Sequence, residues 1–426
     1  MKKIGVIQFP GSNCERETKL AIERSGMQAI SFLWNYKTVS FDIFDGFVIV
    51  GGFSYEDRCR SGLIASKDPL LSKLIIEIEK GKPVLGICNG AQILIESGIV
   101  PGIKIQDSYK LSVALTLNEK INKKGKILGI GFYNTWCYID IKNQKNIAEN
   151  AFFQKKFSKP IRIPFANAEG RFILKKSTFN LLKSSGVMVW KYVNSIGNIK
   201  RYYPINPNQS MENIAAISNF SGNVLAMMPH PERTTDGDII FASIRTYLEK
   251  KKIFLYKTFK EKKKIKQLKN YTLPESRYQF LIKMIITDNE SISIEQTLKN
   301  LGIYCTIQKY QHLEIFSKKI DYKKMYELLY NNHAFYNPKK EYLITKIKLL
   351  KKSIKILVRK NTVFNQYKLN ILHKKYSLNE IFDIKYGIFW NIIPKNYQEI
   401  DYIKKYLLHN SILYNPIAYK AYFYEE

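Results

Sequence analysis

The stretch PVLGICNGAQIL, residues 83–94, is the most informative in the chain. An apolar run ends at Gly86, presents Cys88 and passes through Asn89 and Gly90 into a helical pattern, as a strand-to-helix turn does. Such a turn holds a sulfur exposed while the backbone N–H groups that follow point toward a developing oxyanion, and the helix N-terminus favours thiolate. Read as structure alone, Cys88 is a small buried hydrophobe, the commoner fate of a free cysteine. The Gly-x-Cys-x-Gly turn favours the nucleophile.

On either side, apolar runs alternate with amphipathic segments: KKIGVIQF (2–9), NCERETKLAIERSG (13–26), FDGFVIVGG (44–52), DPLLSKLIIEIEKG (68–81) and AQILIESG (91–98). β-rich runs separated by helical spacing and closed by Gly or Pro predict βαβ units on a parallel sheet, an α/β domain over residues 1–250. The turn IVGGFSYED (49–57) would bring Gly51 and Gly52 to the same sheet edge, where backbone without a side chain can donate an N–H to an oxyanion. FPGSNCERE (9–17) reads as a turn that either touches a ligand or caps a helix.

A thiol nucleophile needs a base, and the chain has five histidines. His312, His333, His373 and His409 lie in Tyr- and Lys-rich contexts without a useful acidic neighbour and read as ordinary surface or core residues. His230 stands in GNVLAMMPHPER (222–233), directly after an apolar run, with Glu232 two residues on. In extended backbone, positions i and i+2 share a side, so Glu232 can hold the imidazole while the other ring nitrogen faces the thiol.

Composition narrows the rest. With 45% hydrophobic and 13% aromatic residues, the chain has enough apolar surface to offset its ordering entropy. No run approaches the ~18 apolar residues of a membrane helix, and the N-terminus enters a strand pattern without a cleavage site, so neither membrane nor export is expected. Five scattered cysteines (Cys14, Cys59, Cys88, Cys137, Cys305) without CxxC spacing argue against a disulfide framework or structural zinc and for a reducing cytoplasm. The net charge of +32 comes mostly from Lys, in a chain also crowded with Ile, Asn and Tyr. It reads as compositional bias rather than a nucleic-acid footprint, and no RNP, KH or OB-type signature accompanies it.

Residues 251–276 contain nine Lys and end in a polar, Pro-containing cluster, as a basic linker would. Two α+β segments are expected beyond it, 277–347 and 352–426. In the first, FLIKMIIT is a strand, SISIEQTLKNLG a helix, YCTIQKYQHLEIF a hairpin-like stretch and YKKMYELLYNN a helix. The pair LLYNNHAFYNP (328–338) and LLHNSILYNP (407–416) suggests a degenerate duplication.

GGFSYED, GICNGAQIL and MMPHPER together resemble the class I (triad) glutamine amidotransferases. FPGSNCERE and NPNQSMENIA (206–215) are similar, more narrowly, to the glutaminase subunits of phosphoribosylformylglycinamidine (FGAM) synthase. The resemblance covers residues 1 to about 250 and implies a flavodoxin-like fold. It further implies that Cys88 attacks the glutamine side-chain amide, with His230 as general base and acid and Glu232 orienting it. The N–H groups of Gly52 and Asn89 would form the oxyanion hole, and Gln92 would lie beside the glutamine. No metal or cofactor is implied for this chain; ATP and magnesium would belong to a separate PurL-type large subunit that receives the ammonia. The family pattern has Gly where this chain has Glu56, His-Gly-Glu-Gly where it has Asn167, Ala168, Glu169 and Gly170, and Gly at Gln209. Glu56 and Asn167 are thus expected in loops shaping the glutamine pocket or the docking face. The closing LLHNSILYNPIAYKAYFYE resembles the end of PurS-type bridging subunits, which implies two PurS-like segments paired within the chain. The rival expectations are a catalytically idle scaffold of the same fold, against which Cys88, His230 and Glu232 argue, or an amidotransferase subunit of another synthase.

Overall fold

The computed structural model describes all residues except 37–39, 142–149, 155–157, 188, 251–253, 263–267, 273–277, 318–320, 332–334, 345–351, 361, 397–398 and 425–426. The chain divides into two compact units, residues 1–264 and 265–426.

The first unit opens with β1 (Lys3–Gln8), α1 (Glu15–Arg24), β2 (Gln28–Leu33), β3 (Gly46–Ile49), α2 (Pro69–Glu79), β4 (Val84–Ile87) and α3 (Asn89–Glu96). Local chemistry sets these limits: Asp68 caps α2 by accepting the Leu70 N–H at 2.9 Å, and Pro69 fills the first helical position. Five strands run parallel in the order β2, β1, β3, β4 and Val224–Met227. Their Val6, Val48, Leu85 and Leu225 have no exposed surface, as expected of parallel strands covered on both faces.

Beyond Val224–Met227 the sheet continues through Ile214–Ser218, Val189–Val193, Tyr133–Asp140 and Ile161–Asn167, all antiparallel. The expected parallel sheet is therefore half of a mixed nine-stranded one. Antiparallel neighbours need no crossover helix, so the alternating pattern that announces βαβ units is missing there.

The stretch expected as a linker lies partly outside the described residues. Two short pieces of its described portion join sheets: Phe259–Lys260 pairs in parallel with Ile103–Ile105 in the first unit, and Lys269–Tyr271 with Lys420–Tyr424 in the second.

The second unit repeats one topology. Strand Tyr278–Met284, helix Asn289–Asn300, strand Cys305–Ser317, helix Tyr322–Asn331 and strand Glu341–Ile344 are followed by Ile354–Arg359, Thr362–Tyr376, Ile381–Pro394, Ile400–His409 and Lys420–Tyr424 in the same roles. Cys305–Ser317 and Ile381–Pro394 lie antiparallel at the sheet centre, each flanked by its own first and then last strand. The paired NP motifs share a cause: Asn337 Oδ1 accepts the Lys339 N–H and Asn415 Oδ1 the Ile417 N–H, both at 3.0 Å, turning the chain into each repeat's last strand.

Three readings change. Cys305–Ser317 is one continuous strand rather than a hairpin, and Thr362–Tyr376 is a helix in a stretch not read as an element. His312, read as lacking an acidic neighbour, has Glu314 at 3.9 Å, both side chains fully buried. Arg359 bonds both residues, and burial together with its charge pushes the His312 imidazole well below its ordinary value. His333 lies outside the described residues.

Candidate active site

The carboxyl ends of β1, β3, β4 and Val224–Met227 release four loops on one sheet edge, carrying Cys14, Gly51–Gly52, Cys88 and His230. This is the edge where open α/β sheets place their ligands.

Cys88 stands between β4 and α3 with φ 50° and ψ −102°. Left-handed backbone at a non-glycine residue is the strained elbow that the surrounding turn must hold in place. Packing holds it: a Cβ on Gly90 would lie 2.1 Å from the Ile49 carbonyl oxygen, so α3 approaches β3 as only glycine permits. The Cys88 N–H bonds Met227 O at 2.8 Å, tying the elbow to the strand before His230, and Cys88 Sγ lies 3.8 Å from Ala166 O.

His230 and Glu232 are brought together, with Nδ1 2.7 Å from Oε1 and both side chains buried. The backbone differs from expectation, since Pro231–Arg233 form a 3-10 turn rather than an extended stretch. Burial disfavours the charged ring, but Glu232, followed by Cys88, opposes it and holds the His230 imidazole well above its ordinary value. Among the described residues, His230 Nε2 and Glu232 Oε2 are buried without hydrogen-bond partners.

The oxyanion candidates lie beside the elbow. Gly52 has φ 139°, and a Cβ there would stand 2.6 Å from Gly11 O. It bridges to Ser12 through the bonds Asn13 N–H to Gly51 O and Phe53 N–H to Gly11 O, which do not use the Gly52 N–H. Asn89 opens α3; its Oδ1 accepts the Ser54 N–H at 3.1 Å, and its Nδ2 donates to Asp57 Oδ1 at 3.2 Å and Gln92 Oε1 at 2.9 Å. Gln92 Nε2 donates in turn to Glu169 O at 2.7 Å, so the Gln92 side chain is a knitted part of the wall.

Of the departures, Glu56 has φ 58° and Gln209 φ 62°, both in the left-handed region that glycine favours. Glu56 points to solvent, paired with Arg58 at 2.9 Å, whereas Asn167 is buried against Asn118.

Several residues at this edge escaped the sequence reading. Cys14 and Arg233 are joined by a 2.9 Å bond from Nη2 to Sγ. Asp57 is pushed up to about 7 by burial and by the charge of Glu169. The signal for Arg233 was its place directly after Glu232; Cys14 was read only as part of a turn. By spacing alone, Cys14, His230 and Glu232 could hold a metal ion, one ligand atom from each lying within 4.8 Å of the others.

The chain matches the CobB/CobQ-like glutamine amidotransferase domain over residues 1–254. It is 39% identical to the phosphoribosylformylglycinamidine synthase subunit PurQ of Methanothrix thermoacetophila, over 59% of this chain and 99% of that one. It is 38% identical to the PurQ subunit of Prochlorococcus marinus strain NATL2A, over 58% and 98%. A chain in the structure of PurLQS from Thermotoga maritima aligns at 30% identity with a TM-score of 0.43, covering 58% of this chain and 99% of that one. Among the described residues no helix is long and apolar enough to cross a membrane. Residues 1–254, which contain the whole edge from Cys14 to Arg233, place this chain in the family of CobB/CobQ-like glutamine amidotransferases.

Proposed function

We propose that the chain is the glutaminase component of phosphoribosylformylglycinamidine synthase. The Cys88 sulfur attacks the side-chain amide carbon of glutamine while His230 accepts the thiol proton. The resulting oxyanion takes N–H bonds from Gly52 and Asn89. Collapse breaks the carbon–nitrogen bond, and His230 returns the proton to the departing ammonia, leaving a γ-glutamyl thioester. Water, deprotonated by His230, hydrolyses the thioester to glutamate and restores the thiol. Glu232 fixes the ring and stabilises its charged form. No metal or cofactor takes part on this chain. The ammonia passes to a PurL-type large subunit, which uses ATP and magnesium to amidate formylglycinamide ribonucleotide.

One observation carries this reading: the strained Cys88 elbow faces the buried His230–Glu232 pair on one sheet edge, within a domain matched almost end to end by PurQ subunits. We further infer that residues 277–347 and 352–426 are PurS-like segments forming an intramolecular pair that bridges glutaminase to large subunit, tethering both at high effective concentration. The repeated topology of the second unit supports this.

The test is ammonia release from glutamine by the full chain, with and without a PurL-type subunit, its nucleotide substrate and ATP, for wild type and Cys88→Ser. Release that rises with the partner and vanishes in the variant is expected. Absent release in the complete system, despite binding, would make the chain a scaffold; release indifferent to the partner would move it to another synthase.

A further inference from the structure

Behind His230 lies a second thiol. Cys14 has no exposed surface and occupies the N-cap position of α1, yet its side chain makes no capping bond. Its sulfur instead accepts the Arg233 Nη2–H at 2.9 Å and lies 3.2 Å from Asn13 Oδ1, so a thiol here has both its proton and a lone pair engaged. A Cβ on Gly51 would meet Cys14 Sγ at 3.0 Å and His230 Cε1 at 3.2 Å, so sulfur and ring converge on one point.

The arginine makes this arrangement consequential. Arg233 directly follows Glu232, and its Nε is 3.8 Å from Glu232 Oε1, the oxygen that holds His230 Nδ1 at 2.7 Å. Glu232 Oε2 is buried and has no hydrogen-bond partner among the described residues. A carboxylate with a spare buried acceptor beside a guanidinium would ordinarily be gripped by both prongs. Here the guanidinium is directed onto sulfur. Among the described residues, the titratable groups that bear on His230 are Glu232 from its own turn, Cys88 from the start of α3 and Cys14 from the start of α1, while Arg233 bears on Cys14, Glu232 and Cys88.

Given the roles proposed above for Cys88 and His230, on which this depends, we propose that Cys14 is a positioning residue. Its sulfur holds Arg233 off Glu232 and so leaves the carboxylate to His230. Without that sulfur, Arg233 turns to the free oxygen of Glu232 and competes for its charge. The imidazolium loses support, and Cys88 becomes nucleophilic only at higher pH.

The experiment follows alkylation of Cys88 by iodoacetamide against pH, read by peptide mapping on the full chain, in parallel with glutamine hydrolysis in the complete synthase. Cys14→Ala moves the low-pH limb up by about one unit. Cys14→Ser, which keeps an acceptor for Arg233, leaves the limb near its wild-type position. Cys14→Ala combined with Arg233→Gln returns it there, a rescue that a merely structural role would not give. Circular dichroism confirms that each variant is folded, and Arg233→Gln alone, which spares Cys14, keeps the wild-type limb. An unmoved limb in Cys14→Ala, or no rescue by Arg233→Gln, overturns the proposal while Cys88 and His230 stand. A wild-type Cys88 that alkylates like an ordinary thiol, with no activity in the complete synthase, sinks the underlying assignment instead.

Discussion

His-x-Glu occurs twice in this chain, at His230–Glu232 and His312–Glu314, with opposite outcomes. At His312 the backbone is a strand, yet the carboxylate goes to Arg359 and the ring is held well below its ordinary value. At His230 a turn beginning with Pro231 brings carboxylate and ring to 2.7 Å, and the imidazole is held well above its ordinary value. Spacing alone did not separate the two; the competing arginine did, and it lies far away in sequence. Glu232→Gln should lower glutamine turnover about 10²-fold or more with little change in KM, measured in the complete synthase. A raised His230 also sets a sign for stability: its contribution is present below the unfolded value near 6.5 and is lost as pH rises through the folded value. Asp57 obeys the same sign, since burial and Glu169 push it from 3.8 up to about 7. Urea midpoints of wild type should therefore fall relative to Asp57→Asn as pH climbs from about 4 to about 7, and parallel curves would refute the shift. Cys88, Gly52, Asn89, His230 and Glu232 were legible as neighbours on one sheet edge because turn glycines and strand ends mark them locally. Cys14, Asp57 and Glu169 were not, since only the folded sheet edge gives them their neighbours.

At the scale of elements, the elbow depends on how closely α3 lies against β3. Gly90→Ala places a methyl 2.1 Å from the Ile49 carbonyl oxygen, backbone that cannot rotate away. A loss of about 1–3 kcal/mol in denaturant unfolding is expected, with a larger loss of glutaminase rate because Cys88 moves with the helix. The strands β1, β3 and β4 were readable for a separate reason: apolar runs rich in Val and Ile that end at glycine-containing turns are a strong signal. Cys305–Ser317 misled for the opposite reason. Its middle, Gln308 to His312, is polar where a central strand should be apolar, and those polar groups are satisfied inside the sheet, Gln308 by Asn391 at 2.9 Å. Thr362–Tyr376 has apolar residues all round rather than along one stripe, and Leu372 alone among its described side chains is buried.

For the whole molecule, the division at residues 264 and 265 predicts two separable unfolding transitions in calorimetry of the intact chain. Leu407, almost fully buried in the second unit, provides the check. Leu407→Ala should cost about 2–5 kcal/mol in one transition and leave the other unmoved; a single transition that moves as a whole would refute the division. The repeat within that unit carries a consequence of its own. Glu314 and Asn391, each three residues before the end of its central strand, hold equivalent places, one in a buried ionic network and the other in a neutral amide bond to Gln308. Two identical chains meeting on an axis must show the same residue on both sides, and every substitution is made twice. Joined in one chain, the halves are inherited separately, so each can be altered while its counterpart is kept, as two genes can.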